Sequence, residues 1–478
     1  MATISSIGVG SNLDLQSLLD KLETNESLPL TQINTQAKSY QSKLSGYGTI
    51  KSVLDAYSAA AKALGTASTF SAVKATVGSD SVLAAAAGTT AVPGSYAVNV
   101  TSLATAQSLV SKQIADQTAA IGGGTITIDF GDQLATGGAP VSTKTVTIGA
   151  DTSLQGIRDS INKAGIGVTA SIVNDGSATP YRLVLTSDKT GTQAGMRISA
   201  SDAAVSNVVS YDPALGAAQP SGVSQTVAAA NATLTINGIS ITSQGNTVAE
   251  AAQGVTLTLK STGTTSMSVT RDDASIKTAV QSFVTAYNNI LSASATLTSF
   301  DTEAGTSGSL NGDNTLRSIQ SHLRSMLTTP MSDGKGGSVT LSDLGVSFNM
   351  DTTSAGSVNY GKLQIDDTKL AKAISGNLQG LTSFFSGANG AAGMGKTITD
   401  YVDSLNTKSG ALTVATDGIT ATLKDLEDKY TQTQDRVTAT MDRYRAQFTQ
   451  LDLLVSQMNQ TKSYLTQQFS SLTSSSSK

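Results

Sequence analysis

Between Ile419 and Leu472 a mostly apolar residue returns every three or four positions. The series runs Ile419, Leu423, Leu426, Tyr430, Thr433, Val437, Met441, Tyr444, Phe448, Leu451, Val455, Met458, Lys462, Leu465, Phe469 and Leu472. An average spacing near 3.5 residues is the seam of a coiled coil. The spacing slips once, to four and four across Thr433, Val437 and Met441, a stutter that locally unwinds a left-handed supercoil. No Pro or Gly interrupts the stretch, so it predicts one helix of about 80 Å at 1.5 Å per residue. Pairs such as Asp425 and Lys429 support its first half, each worth about 0.3 kcal/mol. A stripe this narrow on a helix this long cannot be buried against itself, so it needs a partner.

The other end of the chain has the same character. After Gly8-Val9-Gly10, Ser11 and Asn12 offer N-caps to a short helix with Leu15, Leu18, Leu19 and Leu22 on one face. Pro29 breaks it, and Ser27 can cap a second helix that takes Pro29 in its first turn. That helix carries Ile33, Ala37, Tyr40, Leu44, Tyr47, Ile50, Leu54, Tyr57, Ala61 and Leu64, mostly at spacings of three and four. The N-terminal helix is shorter than the C-terminal one. The distal part, about Phe448 to Leu472, therefore requires another molecule.

From Phe70 the period becomes two. Tyr96, Val98 and Val100 alternate after Pro93-Gly94, which marks a strand. Leu234 to Ile241 reads as a hairpin turning at Asn237-Gly238, residues that tolerate the positive φ of a type I′ turn. Val255, Leu257, Leu259, Met267 and Val269 extend that sheet. Between these halves lies a second unit with strands at Ile126–Phe130, Val146–Ile148, Val168–Ile172 and Leu183–Leu185. Its helix is capped at Thr152 or Ser153, buries Leu154, Ile157 and Ile161, and stops at Gly165. Beyond it, Asp273 is expected to cap a helix with Ile276, Val280, Phe283, Tyr287, Ile290 and Leu297 inward. Asp313 should cap another with Leu316, Ile319, Leu323 and Leu327. Strands at Val339–Phe348 and Gly361–Asp366 then lead to the final coil.

The implied fold is α+β and multidomain, with long terminal helices forming a coiled-coil leg and nested β-rich head domains inserted between them. The boundaries fall at 1–42 for the N-terminal leg segment and 43–69 for a helix of the leg base. The inner head takes 70–112 and 231–272, the outer head 113–230. The mixed leg base takes 273–415 and the C-terminal leg segment 416–478.

Composition narrows the function. The 478 residues exceed one core and suit about three domains. Aromatics are only 4% and Trp is absent, which favours thin β modules over a large enzyme core. Net charge is −4 with no basic cluster, which argues against nucleic acid, because phosphate neutralisation needs grouped Lys and Arg. With no cysteine there are no disulfides, thiolate metal sites or Cys nucleophiles. The first residues lack a basic n-region and an apolar h-region, unlike a Sec signal peptide. No run of eighteen apolar residues predicts membrane insertion.

One string invites a chemical reading. Gly390-Ala-Ala-Gly-Met-Gly-Lys396-Thr397 fits the P-loop pattern, in which backbone amides cradle phosphates, the Lys reaches the terminal phosphate and the Thr holds magnesium. That chemistry needs a buried parallel strand leading into the glycines. Leu381 to Asn389 offers none, so a surface loop is the favoured reading over a nucleotide hydrolase. His322, the only histidine, has no triad or metal partners in the pattern and reads as a helix-surface or packing residue. Asp366-Asp367 reads as a strand end with a helix cap rather than a cation site. No enzyme activity, cofactor or metal is expected.

Four terminal segments carry a resemblance: Ser5 to Asp14, Tyr47-Gly-Thr-Ile-Lys-Ser52, Arg445-Ala-Gln-Phe-Thr-Gln-Leu-Asp452 and Tyr464-Leu-Thr-Gln-Gln-Phe469. With Ser153 to Asn162, Val168 to Val173, Asn237-Gly238 and Gly254 to Leu259, the chain resembles the bacterial flagellar filament cap family, also called hook-associated protein 2. The resemblance implies a homo-oligomeric ring, usually of five protomers, at the distal tip of the flagellum, outside the cell. There it would retain exported flagellin and promote its polymerisation. It also implies export by the flagellar type III apparatus, with a chaperone, and no cleaved signal peptide. The residues expected to make the oligomer and flagellin contacts are Leu15, Leu18, Leu22, Leu423, Leu426, Tyr444, Phe448, Leu451, Leu465 and Phe469. The alternative is an extracellular tip adhesin whose β head binds a surface or host ligand. In the free chain the terminal stripes are expected to fray and to order on assembly.

Overall fold

The computed structural model describes residues 14–303, 305–350 and 361–475, with side chains described as far as Ser471. In chain order the helices are α1 (Leu15–Glu26), α2 (Leu28–Gly65), α3 (Leu154–Ala164), α4 (Ala203–Val209) and α5 (Asp273–Thr298). There follow α6 (Asn314–Thr328), α7 (Asp367–Gly376), α8 (Leu378–Ser386), α9 (Met394–Leu405) and α10 (Ala411–Ser475). Two compact units divide them, one formed by residues 1–70 and 276–478, the other by 71–275.

In the first unit α2 and α10 pack along each other. Leu30, early in α2, meets the apolar cluster of Val437 and Met441, whereas Tyr40 and Leu44 join the core that holds Ile419 and Leu412. The two helices therefore run antiparallel. α10 has 65 residues, about 98 Å at 1.5 Å per residue. At the base of this pair the core closes over Tyr57, Phe70, Phe283, Tyr287, Phe384 and Phe385. Tyr57 lies 5.2 Å from Phe283, centroid to centroid, and Phe283 meets Phe385 edge-on at 5.4 Å. These six aromatics form the centre of the unit's core.

The second unit consists of two β modules, one inserted in the other. Its strands are β1 (Val73–Val77), β2 (Leu83–Ala87), β3 (Gly94–Ser102), β4 (Ser108–Val110), β5 (Thr125–Phe130), β6 (Ser142–Thr147), β7 (Val168–Asn174) and β8 (Tyr181–Ser187). They continue with β9 (Met196–Ala200), β10 (Ser224–Val227), β11 (Ala232–Ile236), β12 (Ile239–Ser243), β13 (Thr247–Ala252), β14 (Val255–Leu259) and β15 (Gly263–Arg271). The inner module pairs strands from both sides of the insertion, in the orders β1-β15-β3-β11-β12 and β13-β14-β2. β11 and β12 meet at Ile236–Ile239, and Asn237 and Gly238 have φ of 49° and 82°, as the hairpin chemistry requires. The outer module has sheets β10-β4-β8-β7 and β6-β5-β9, with α3 packed on β7. Ser153 caps α3 by accepting from the Gly156 amide, and Gly165 ends it in the left-handed conformation at φ 58°. The outer sheet begins at β4, ahead of Gln113, and Leu109 is fully buried in its core.

Several local expectations need correction. Ser11 and Asn12 lie outside the described residues, and the cap of α1 is Asp14, whose carboxylate accepts from the Ser17 amide at 3.1 Å. Ser27 precedes α2 without a side-chain capping bond. The cap of α5 is Asp272, bonded to the Ser275 amide and hydroxyl, and Asp273 already belongs to the first turn. Val339–Phe348 is not one strand, because Leu341–Gly345 turns between two short pieces. Residues 367–405 hold three helices rather than a direct run into the final coil.

Candidate assembly surface

The surface is built on α10. Leu412, Ile419, Leu426 and Thr433 are all buried and stand seven residues apart, one side of a heptad seam against α2. At Thr433, Val437 and Met441 the buried positions come every four residues. There Leu19 of α1 joins Val437 and Met441 in one cluster, flanked by Leu22, Leu30, Tyr444 and Phe448. The stutter thus falls where a third helix contributes to the packing, and the repeat of four turns the buried stripe to meet it. Glu23 and Arg445 approach to 4.0 Å across the same contact. Both are about half exposed, so the pair contributes little.

The ten residues expected on the seam divide in two. Leu15 and Leu426 are buried, and Leu423 packs against the main core of the unit. Leu22, Tyr444 and Phe448 are half-buried against the three-helix cluster. All six are therefore taken up wholly or partly inside the chain, Phe448 included. Leu18, Leu451, Leu465 and Phe469 are exposed, at 45%, 40%, 48% and 65%. Beyond Ser456 the change is complete, and from Gln457 to Ser471 every residue is exposed. Leu472 lies outside the described side chains.

This outer stretch is apolar for an exposed helix. Leu453, Leu454, Met458 and Tyr464 add to the stripe, and Asp452 and Lys462 are the sole charges between Leu451 and Ser475. Leu453 and Leu454 were not singled out by the periodicity. Their signal was density, since Leu451-Asp-Leu-Leu-Val455 holds more aliphatics than a two-in-seven seam requires.

The strings that suggested chemistry are accounted for by packing. α8 runs into Gly387, a two-residue antiparallel bridge joins Gly387–Ala388 to Ala391–Ala392, and α9 starts at Met394. Lys396 bonds Asp400 one turn on at 2.7 Å, and the Thr397 hydroxyl bonds the Gly393 carbonyl. No buried parallel strand precedes the glycines, so a P-loop is ruled out by topology. His322 is exposed on α6, its ring 4.2 Å from that of Tyr401. Asp366 caps α7 through the Lys369 amide, and Asp367 pairs with Lys277 at 2.8 Å. Among the described residues there is no metal-ligand cluster, and no helix is long and apolar enough to cross a membrane.

Residues 229–460 match the family described as flagellar hook-associated protein 2 C-terminus, and residues 11–107 match its N-terminus counterpart. Residues 125–189 match the flagellin hook IN motif. The chain is 37% identical to flagellar hook-associated protein 2 of Escherichia coli K12 over 440 residues, covering 90% of each. To the protein of that name from Salmonella typhimurium it is 36% identical, again over 90% of each. Among solved structures, the flagellar cap protein FliD D1-D2-D3 domains from Escherichia coli are similar with a TM-score of 0.63 and 34% identity. That likeness covers 78% of this chain and 99% of the other.

Proposed function

Because the chain belongs to the flagellar hook-associated protein 2 family, we propose that it caps the distal end of the flagellar filament, holding exported flagellin there and promoting its polymerisation. One observation carries the mechanism. The apolar stripe of α10 continues for some four turns after the chain's own packing has ended, from Gln457 to Ser471. Burying such a stripe against a neighbouring helix stabilises by about 25 cal/mol per Å² removed from water. Each leg contact is thus modest and can be released and remade as subunits are inserted beneath.

On this reading Leu18, Leu451, Leu465 and Phe469, with Leu453, Leu454 and Met458, face flagellin or sister copies. Leu15, Leu22, Leu423, Leu426, Tyr444 and Phe448 hold the leg in shape. The division into leg, leg base, inner head and outer head serves that role in a ring of copies, five-fold in our reading. Export by the flagellar apparatus with a chaperone, and a position outside the cell, belong to the same proposal. The part is structural and non-catalytic, in keeping with relatives that are named as cap and hook-associated proteins. The adhesin alternative has no support in the fold or in these likenesses.

The test is Leu454→Ser, Met458→Ser and Leu465→Ser combined. Cells carrying the triple variant should be non-motile and release flagellin monomer into the medium, while the β heads of the purified protein unfold at the wild-type temperature. Full-length filaments on such cells would refute the proposal.

A further inference from the structure

A cavity of about 430 Å³ opens in the outer module where β6, the end of β8 and the loop after it come together. Its apolar part is formed by Phe130, Val141 and Ile166, and its rim carries Lys144 and Lys189. The ladder explains why Lys144 is there. β6 pairs Ile128 with Lys144 and Ile126 with Val146, and paired residues of an antiparallel ladder share a face. Lys144 therefore stands on the side of an edge strand where Ile126, Ile128 and Val146 are buried.

The opposite wall is fixed. The Ser187 hydroxyl bonds the Lys189 carbonyl, and the Asp188 amide bonds the Gly167 carbonyl. Thr190 and the Gln193 amide both bond Gln244. At Gly191, φ is 92° and an added Cβ would fall 2.2 Å from the Gln244 side-chain oxygen, so the loop lies flat against that residue. No acidic side chain lines the cavity, and among the described residues neither lysine has an ion-pair partner. The carboxylates next in sequence to the lining residues Phe130 and Lys189 are committed elsewhere: Asp129 to Arg197 and Thr143, Asp188 to the Thr169 hydroxyl.

An inward lysine on an edge strand can serve merely to discourage strand pairing. That explains Lys144 but not a second lysine, Lys189 from beyond another strand end, lining the same apolar cavity. We propose that this cavity binds a carboxylate carried on a small apolar body, with the two ammonium groups on the anion and the Phe130–Ile166 side on the body. The volume suits a ligand of that size, and ion pairing at the rim of a partly dry pocket supplies orientation as well as affinity.

The probe is hexanoate, titrated calorimetrically into the full chain with 1-hexanol as the uncharged control. Hexanoate should bind saturably, with hexanol at least about tenfold weaker. Combined Lys144→Ala and Lys189→Ala should weaken hexanoate by about tenfold or more, with unliganded thermal unfolding unchanged. Each single Lys→Gln change should weaken it severalfold, a check that does not depend on the double variant folding. Absence of saturation up to about 100 mM, or equal affinity in the variants, would overturn the site. Sedimentation then tells the source. Dissociation of oligomers by hexanoate assigns the carboxylate to a second copy of this chain, and unchanged oligomers assign it to a free small acid.

Discussion

Gly395 has no side chain because α9 crosses α2 there. An added Cβ would lie 2.5 Å from the Ala61 carbonyl oxygen and 2.6 Å from the Gly65 Cα. Both neighbours are backbone, so neither can rotate away, and Gly395→Ala should destabilise the first unit by about 1–3 kcal/mol. Lys396→Ala removes only an exposed i,i+4 pair with Asp400 and should change stability by no more than about 0.5 kcal/mol. Denaturant unfolding of the two variants checks the contrast, and the opposite ranking would show that the lysine, not the glycine, is what the segment needs. The sequence allowed the P-loop string to be set aside because no strand led into it. It gave no sign of why the glycines are present, since a close helix crossing depends on residues three hundred positions away. Caps were legible to within a residue: Asp313 was located directly, Ser153 as one of two adjacent candidates, and the cap of α5 is Asp272 rather than the neighbouring Asp273.

At the scale of elements, periodicity served where one face is buried. It located α2, α3, α5, α6 and α10, and the stutter it flagged in α10 is the place where α1 joins the packing. It failed for short pieces. β2 reads Leu83-Ala-Ala-Ala-Ala87, a helical composition by propensity, yet it is a strand because β14 pairs with it from Val255 to Leu259. Helices α7 to α9 were missed although α9 buries Met394, Ile398, Val402 and Leu405 at helical spacing, because the glycines ahead of it read as a surface loop. One junction between elements has a pH signature. The Tyr47 hydroxyl of α2 donates to the Asp313 carboxylate at 2.5 Å, and Asp313 caps α6 through the Leu316 amide. Burial first, and then the hydrogen bond to that anion, push the phenol up to about 12. The folded state thus favours the protonated phenol more than the unfolded chain does, whose value is about 10. The resulting stability is complete below about pH 10 and is lost as pH rises towards 12. Tyr47→Phe should therefore show a shallower fall in stability than wild type over that window in urea unfolding. Parallel curves would mean the contact is not formed in solution.

For the whole molecule, the nested order was readable because the strands of the inner module resume after the outer one with the same alternation. The cavity of the outer module was not, because Lys144 and Lys189 are 45 residues apart in a Thr-rich background and only strand register brings them to one rim. The division of the terminal stripe into an internally packed part and an exposed part was half legible. Length implied that α10 must outrun its partner, but the sequence placed the start of the exposed part near Phe448, whereas that ring packs against the three-helix cluster. The central claim is that the end of α10 is incomplete in the free chain and is completed by neighbours. Hydrogen exchange on monomeric and assembled protein tests it most directly. The account predicts slow exchange from Ile419 to Met441 in both states, with Gln457 to Ser471 exchanging orders of magnitude faster in the monomer and becoming protected on assembly. Equal, strong protection of both stretches in the monomer would contradict it.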